Sequence, residues 1–203
     1  MVNRYRDRLT KVLMEDYRDK IEMFITCKCI PPDWLKEMKR ETINVNLREN
    51  NTLEVIRYCE MGYKWLKPKA IRFSDKLKVA IFGKNYGHYG KELFSVFAIE
   101  CQNQNGTVAD PHLHYLCEYK ELITEELVTK VWKGVLQTEL PPRAIHIDTP
   151  IYGINGVYEA TKKVVSYTLK FSSPQFPPDI YPLTEAPLIF AKAFRRPQLV
   201  KEG

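Results

Sequence analysis

His112-Leu113-His114 places two imidazoles two positions apart on a short apolar run, behind Pro111 and ahead of Tyr115-Leu116-Cys117. Along a strand, residues i and i+2 leave the same face, so both rings can share one divalent ion. Two ligands hold a metal poorly, and a third is expected from a neighbouring strand. Glu100 is the candidate, at the end of the apolar run 93–101 that would pair with the histidine strand as a hairpin. A carboxylate buried there needs a compensating partner, which a cation would supply. The plainer alternative is a glutamate meeting solvent at the hairpin end, with histidines satisfied by ordinary hydrogen bonds.

A second reactive group lies downstream. Wound as a helix, residues 157–171 gather Val157, Ala160, Val164, Val165, Thr168 and Phe171 on one arc. Tyr167 falls outside it, between Lys163 at i−4 and Lys170 at i+3. Two ammonium groups beside a phenol favour its ionised form and bind phosphate oxygens, the two properties a tyrosine needs to attack a phosphodiester. A nearby metal would polarise the phosphate and stabilise charge building on its oxygens. Taken alone, Tyr167 reads as a solvent-facing ring among solvating lysines.

The elements that would position these groups can be traced along the chain. Leu9, Val12, Leu13, Tyr17, Ile21 and Phe24 recur at helical spacing and predict an amphipathic helix over 4–26, ended by Pro31-Pro32. Further helices are expected over 33–40 and 52–63, the latter stopping near Gly62. Residues 70–73 and 77–82 read as strands, followed by a glycine-punctuated loop, the strand 93–101, an Asn105-Gly106 turn and the histidine strand to about Glu118. Thr124 caps a helix through Val135, 144–148 is a short strand, and Asn155 caps the tyrosine helix, which stops near Ser172-Ser173-Pro174. The tail holds five further prolines and the basic pair Arg195-Arg196, and reads as an extended segment contacting a partner. The expected fold class is α+β, an antiparallel sheet with helices on one face. Three parts are expected: a helical region over 1–68, a catalytic domain over 69–173 and a basic tail over 174–203.

At 203 residues and 44% hydrophobic content the chain can bury an ordinary core. A net charge of +6 and a pI near 9.0 favour a polyanionic partner. No run approaches the ~18 apolar residues that span a bilayer, and the start lacks a secretory core, so a cytoplasmic location is expected. The odd number of cysteines, five, makes reduced thiols the default. Cys27-Lys28-Cys29 has a spacing too short for a zinc knuckle, and His88 and His146 read as structural.

Pro111-His112-Leu113-His114-Tyr115 resembles the histidine-hydrophobic-histidine motif of the HUH endonucleases, and Val164 to Lys170 resembles their tyrosine motif. The likeness spans residues 93–170 and, in the intervening helix and the strand around Ile145-His146-Ile147, is similar to plasmid and viral rolling-circle replication initiators. It implies an HUH/RRM-like core, with His112, His114 and Glu100 binding manganese or magnesium, Tyr167 as nucleophile and Lys170 assisting. Lys163, Arg195 and Arg196 would contact DNA. Two parts of the family pattern are not matched: the strand Phe94 to Ile99 lacks threonines, and Lys163 stands where some members carry a glutamate one turn before the tyrosine. The implied function is nicking and rejoining of a single-stranded DNA origin through a 5′-phosphotyrosine link, alongside host replication proteins. A transposase or relaxase would share these residues. A non-catalytic basic nucleic-acid-binding domain is the alternative of a different class.

Overall fold

Phe24-Ile25-Thr26 is aromatic and β-branched, and alternation across residues 23–28 sends Met23, Ile25 and Cys27 one way and Phe24, Thr26 and Lys28 the other. In the computed structural model these residues are not the end of a helix but an interior strand. The structure describes residues 4–49, 52–103, 107–148, 157–169, 177–181 and 185–194. Its order is α1 (Arg4–Asp16), β1 (Met23–Lys28), α2 (Asp33–Glu49), α3 (Thr52–Phe82), β2 (Ser95–Gln102), β3 (Val108–Cys117), α4 (Glu125–Leu136), β4 (Ile145–Asp148), α5 (Val157–Thr168), β5 (Asp179–Tyr181) and α6 (Glu185–Phe194).

The fold is α+β, with one antiparallel sheet in the order β4-β1-β3-β2-β5. From β1 to β4 the chain runs β-αα-β-β-α-β with strand order 4-1-3-2, the ferredoxin-like arrangement with two helices, α2 and α3, in its first crossover. The helix expected over 4–26 therefore ends at Asp16. Leu9, Val12 and Leu13 supply its buried stripe, whereas pairing with both β3 and β4 holds residues 23–28 extended.

Residues 70–73 and 77–82 are not strands: they belong to the 31-residue α3. Val55, Tyr58, Gly62, Leu66, Ala70, Phe73 and Leu77 are buried at steps of three and four, a helical stripe that outweighs the β preference of Ile71 and Phe73. Pro68 is tolerated within it because its ring lies on the exposed side. Its missing N–H leaves the Lys64 carbonyl without its helical donor. One residue on, Lys69 Nζ bonds the Trp65 carbonyl at 3.0 Å. The expected boundary at 68/69 thus falls inside α3, and β1, an interior strand of the sheet, comes from the first third of the chain.

Helices lie on both faces rather than one. Beneath one face, Met23, Ile25, Cys27, Phe97, Leu113 and Tyr115 pack against α3 and α4. Phe73 meets Tyr115 and Trp132 edge-on at 5.5 and 5.4 Å. On the other face, Phe24, Val96, Leu116 and Ile180 pack under α1, α5 and α6. These four form one cross-strand row, because paired residues share a face. The tail expected to be extended contributes the edge strand β5 and helix α6, whose Phe194 stacks on Tyr5 at 4.7 Å. Asn155 and the Asn105-Gly106 turn lie outside the described residues.

Candidate metal centre

Two further rows complete the second face. Thr26, His114 and Ala98 stand side by side on β1, β3 and β2, and Lys28, His112 and Glu100 form the next row. Polar side chains thus begin where the apolar cover of α1 and α5 ends. Glu100 and His114 are 4% and 2% exposed, so a carboxylate and an imidazole are buried together, with His112 only partly covered beside them.

Both imidazoles turn the same nitrogen toward that carboxylate. His114 Nε2 lies 2.6 Å from Glu100 Oε2, and His112 Nε2 lies 3.5 Å from the same oxygen. The opposite ring nitrogens are held from behind. His112 Nδ1 is 2.9 Å from the Asp110 carbonyl, which only accepts, so Nδ1 carries the proton and a neutral ring keeps its Nε2 lone pair. His114 Nδ1 meets the Thr26 hydroxyl at 3.2 Å. That hydroxyl can donate while Nε2–H bonds Glu100, or accept while Nε2 ligates a cation.

Glu100, His112 and His114 could hold a metal ion: one donor atom from each lies within 4.8 Å of the others. Metal–ligand bonds of about 2.0–2.2 Å let two ligand atoms stand up to about 4.4 Å apart, so a small rotation of the more exposed His112 closes the set. Two imidazoles with one carboxylate form a donor set suited to a divalent cation, with coordination positions left for other ligands.

Aromatic rings fix His114 in place. Phe24 stacks on it at 5.4 Å, His112 meets it edge-on at 4.8 Å, and Tyr167 meets it edge-on at 5.2 Å. Tyr167 also packs edge-on against Phe24 at 6.2 Å. It is therefore not outside the packed arc of α5. Thr161, Val165 and Thr168 are buried, and Tyr167 and Val164 line the border of that face. The structure brings Glu100, His112, His114 and Tyr167 together, while Lys163 is exposed and Lys170, Arg195 and Arg196 lie outside the described residues.

Sequence reading did not find Thr26, because residues 21–26 were read as helix. The period-two alternation of Met23 to Lys28 was the available signal. His146, directly opposite Thr26 on β4, lies exposed on the same face and pairs with Asp148 at 3.1 Å. No protein-family model, curated protein or solved structure matches this chain.

Proposed function

We propose that this chain is a metal-dependent, single-tyrosine endonuclease that nicks and rejoins single-stranded DNA to initiate rolling-circle replication. The observation that carries the reading is the placement of the Tyr167 ring 5.2 Å from His114, on the sheet face where Glu100, His112 and His114 converge. Two motifs more than fifty residues apart, each resembling an HUH element, meet in space.

Manganese or magnesium held by Glu100, His112 and His114 would polarise the scissile phosphate and offset charge on its oxygens. The chain's own part is positional. Thr26 and the Asp110 carbonyl orient the two rings, and Phe24 and His114 confine the phenol. Tyr167 Oη attacks phosphorus, giving a 5′-phosphotyrosine link and a free 3′-hydroxyl. Attack by a 3′-hydroxyl on that link rejoins the strand. Lys163, exposed one turn before Tyr167, is available to phosphates of the strand.

The test is incubation of the purified chain with manganese or magnesium and a labelled pool of random single strands. A covalent adduct is expected that disappears with EDTA and in Tyr167→Phe, and sequencing the attached strand locates the nick. An adduct that persists in Tyr167→Phe overturns the assignment.

A further inference from the structure

A cleft of about 400 Å³ opens beside the metal group, lined by Lys28, Ile30, Pro31, Lys36, Pro141 and His112 among others. That volume is within the about 300–1,000 Å³ typical of small-ligand pockets. We propose that it seats the leaving strand, the nucleotide bearing the freed 3′-hydroxyl, with Lys28 as the cation at its leaving oxygen; this rests on the endonuclease reading above.

The order of groups along β3 gives the direction. Tyr167 lies against His114 and Phe24, and Phe24 pairs with Leu116. His112 follows His114, and the cleft is lined by His112, Pro111, Asp110 and Ala109, toward the start of the strand. Nucleophile, metal group and cleft are therefore arrayed in sequence along one strand. Phosphoryl transfer places attacking and leaving oxygens roughly in line through phosphorus, so a strand attacked from the Tyr167 side departs toward the cleft.

Lys28 is built into that position. It pairs directly with His112 and shares its face. Its backbone is clamped on both sides: its N–H donates to the Ala144 carbonyl at 2.7 Å, and its carbonyl accepts from the fully buried Trp132 Nε1 at 2.8 Å. The side chain is exposed and has no ion pair among the described residues. Asp110, the carboxylate in the lining, is paired with Lys39 at 2.9 Å, which offsets its charge toward a phosphate. Lys36 reaches the cleft while bonded to the exposed Asp33 at 2.8 Å, and Ile30, Pro31 and Pro141 supply apolar wall for a sugar or base.

In the step itself the Tyr167 Oη–P bond forms as the P–O3′ bond breaks. The phenol proton passes to water, and O3′ takes a proton from water to become the hydroxyl. Lys28 offsets the negative charge that accumulates on O3′ between these events.

The experiment compares two substrates of the sequence recovered above. One is the intact strand, and the other is its downstream part carrying a 5′-p-nitrophenyl phosphate, whose leaving group needs neither a cation nor a nucleotide pocket. Lys28→Ala is expected to slow adduct formation from the intact strand about 100-fold and to leave the p-nitrophenyl substrate within a few-fold of wild type, with Lys28→Arg recovering most of the loss. In EDTA, a labelled oligonucleotide ending at the nick with a 3′-hydroxyl is expected to bind Lys28→Ala about tenfold more weakly. Equal slowing on both substrates, or none on either, overturns the role of Lys28 and the cleft while the endonuclease reading stands. Absence of an adduct from either substrate with wild type overturns the endonuclease reading, and the leaving-strand site with it.

Discussion

The Thr26 hydroxyl is a small group on which the orientation of His114 depends. Through its contact with Nδ1 it fixes which nitrogen faces Glu100. Thr26→Val keeps the branched shape that the interior strand requires and removes only the partner of the ring. Metal affinity, read by competition with a chelator, is expected to fall about 10–100-fold, and Thr26→Ser to recover most of it. Unchanged affinity in Thr26→Val would show that the ring is oriented by Phe24 and Tyr167 alone. Binding should also be visible as stability. At 100 times the dissociation constant, manganese is expected to raise unfolding free energy by about 2.7 kcal/mol, and His114→Ala to abolish the gain.

Among the elements, α3 shows most clearly what packing does to a sequence signal. Gly62 reads as a helix stop, yet α3 continues for twenty residues beyond it. The glycine is there for closeness: a Cβ would stand 2.8 Å from Cys101 Sγ and 2.9 Å from Pro111 Cγ. Pro111 immediately precedes His112, so this contact presses the helix onto the start of the site strand. Gly62→Ala is expected to cost about 1–3 kcal/mol in urea unfolding, despite the higher helix propensity of alanine. A stabilised variant would show that the sheet yields at this point. On α4, Thr124 accepts from the Leu127 N–H at 3.2 Å, the cap read from sequence, and Thr124→Ala is expected to cost about 1 kcal/mol by the same measurement.

Over the whole molecule, the cysteines make alkaline pH destabilising. Burial raises the thiols of Cys27, Cys101 and Cys117 well above their ordinary value of 9.0, and pushes Cys29 to about 12 and Cys59 to about 11. The Cys29 thiol donates to the Pro111 carbonyl at 3.0 Å, a bond only the protonated form can make. In the unfolded chain these thiols lose protons near pH 9, while the folded chain retains them. The unfolded state then binds fewer protons, so stability falls with rising pH. Their contribution is complete below about pH 9 and is lost progressively toward about pH 12. Urea midpoints are expected to drop between about pH 8 and about pH 10.5, and a flat profile would contradict protonated buried thiols. Among the described residues no helix is long and apolar enough to cross a membrane, which fits a fold that buries its apolar stripes against its own sheet.

The histidine pair and its glutamate were legible because they sit on short strands whose period of two is local, whereas the 3.6 period of α5 placed Tyr167 off the packed arc that in the structure it borders. The hairpin, α4 and β4 were legible for the same reason, since Thr124, the prolines and the alternating runs punctuate them directly. Residues 23–28 were not, because their short alternation is overlaid by the helical spacing of Leu9 to Phe24, and the pairing that holds them extended comes from partners nearly ninety and more than one hundred residues away. Tertiary structure alone decided that Thr26 backs His114, that Tyr167 packs beside it and that Lys28 stands opposite His112. Those neighbours are set by strand register and helix docking, which join distant parts of the chain, whereas local propensity acts only over a few residues.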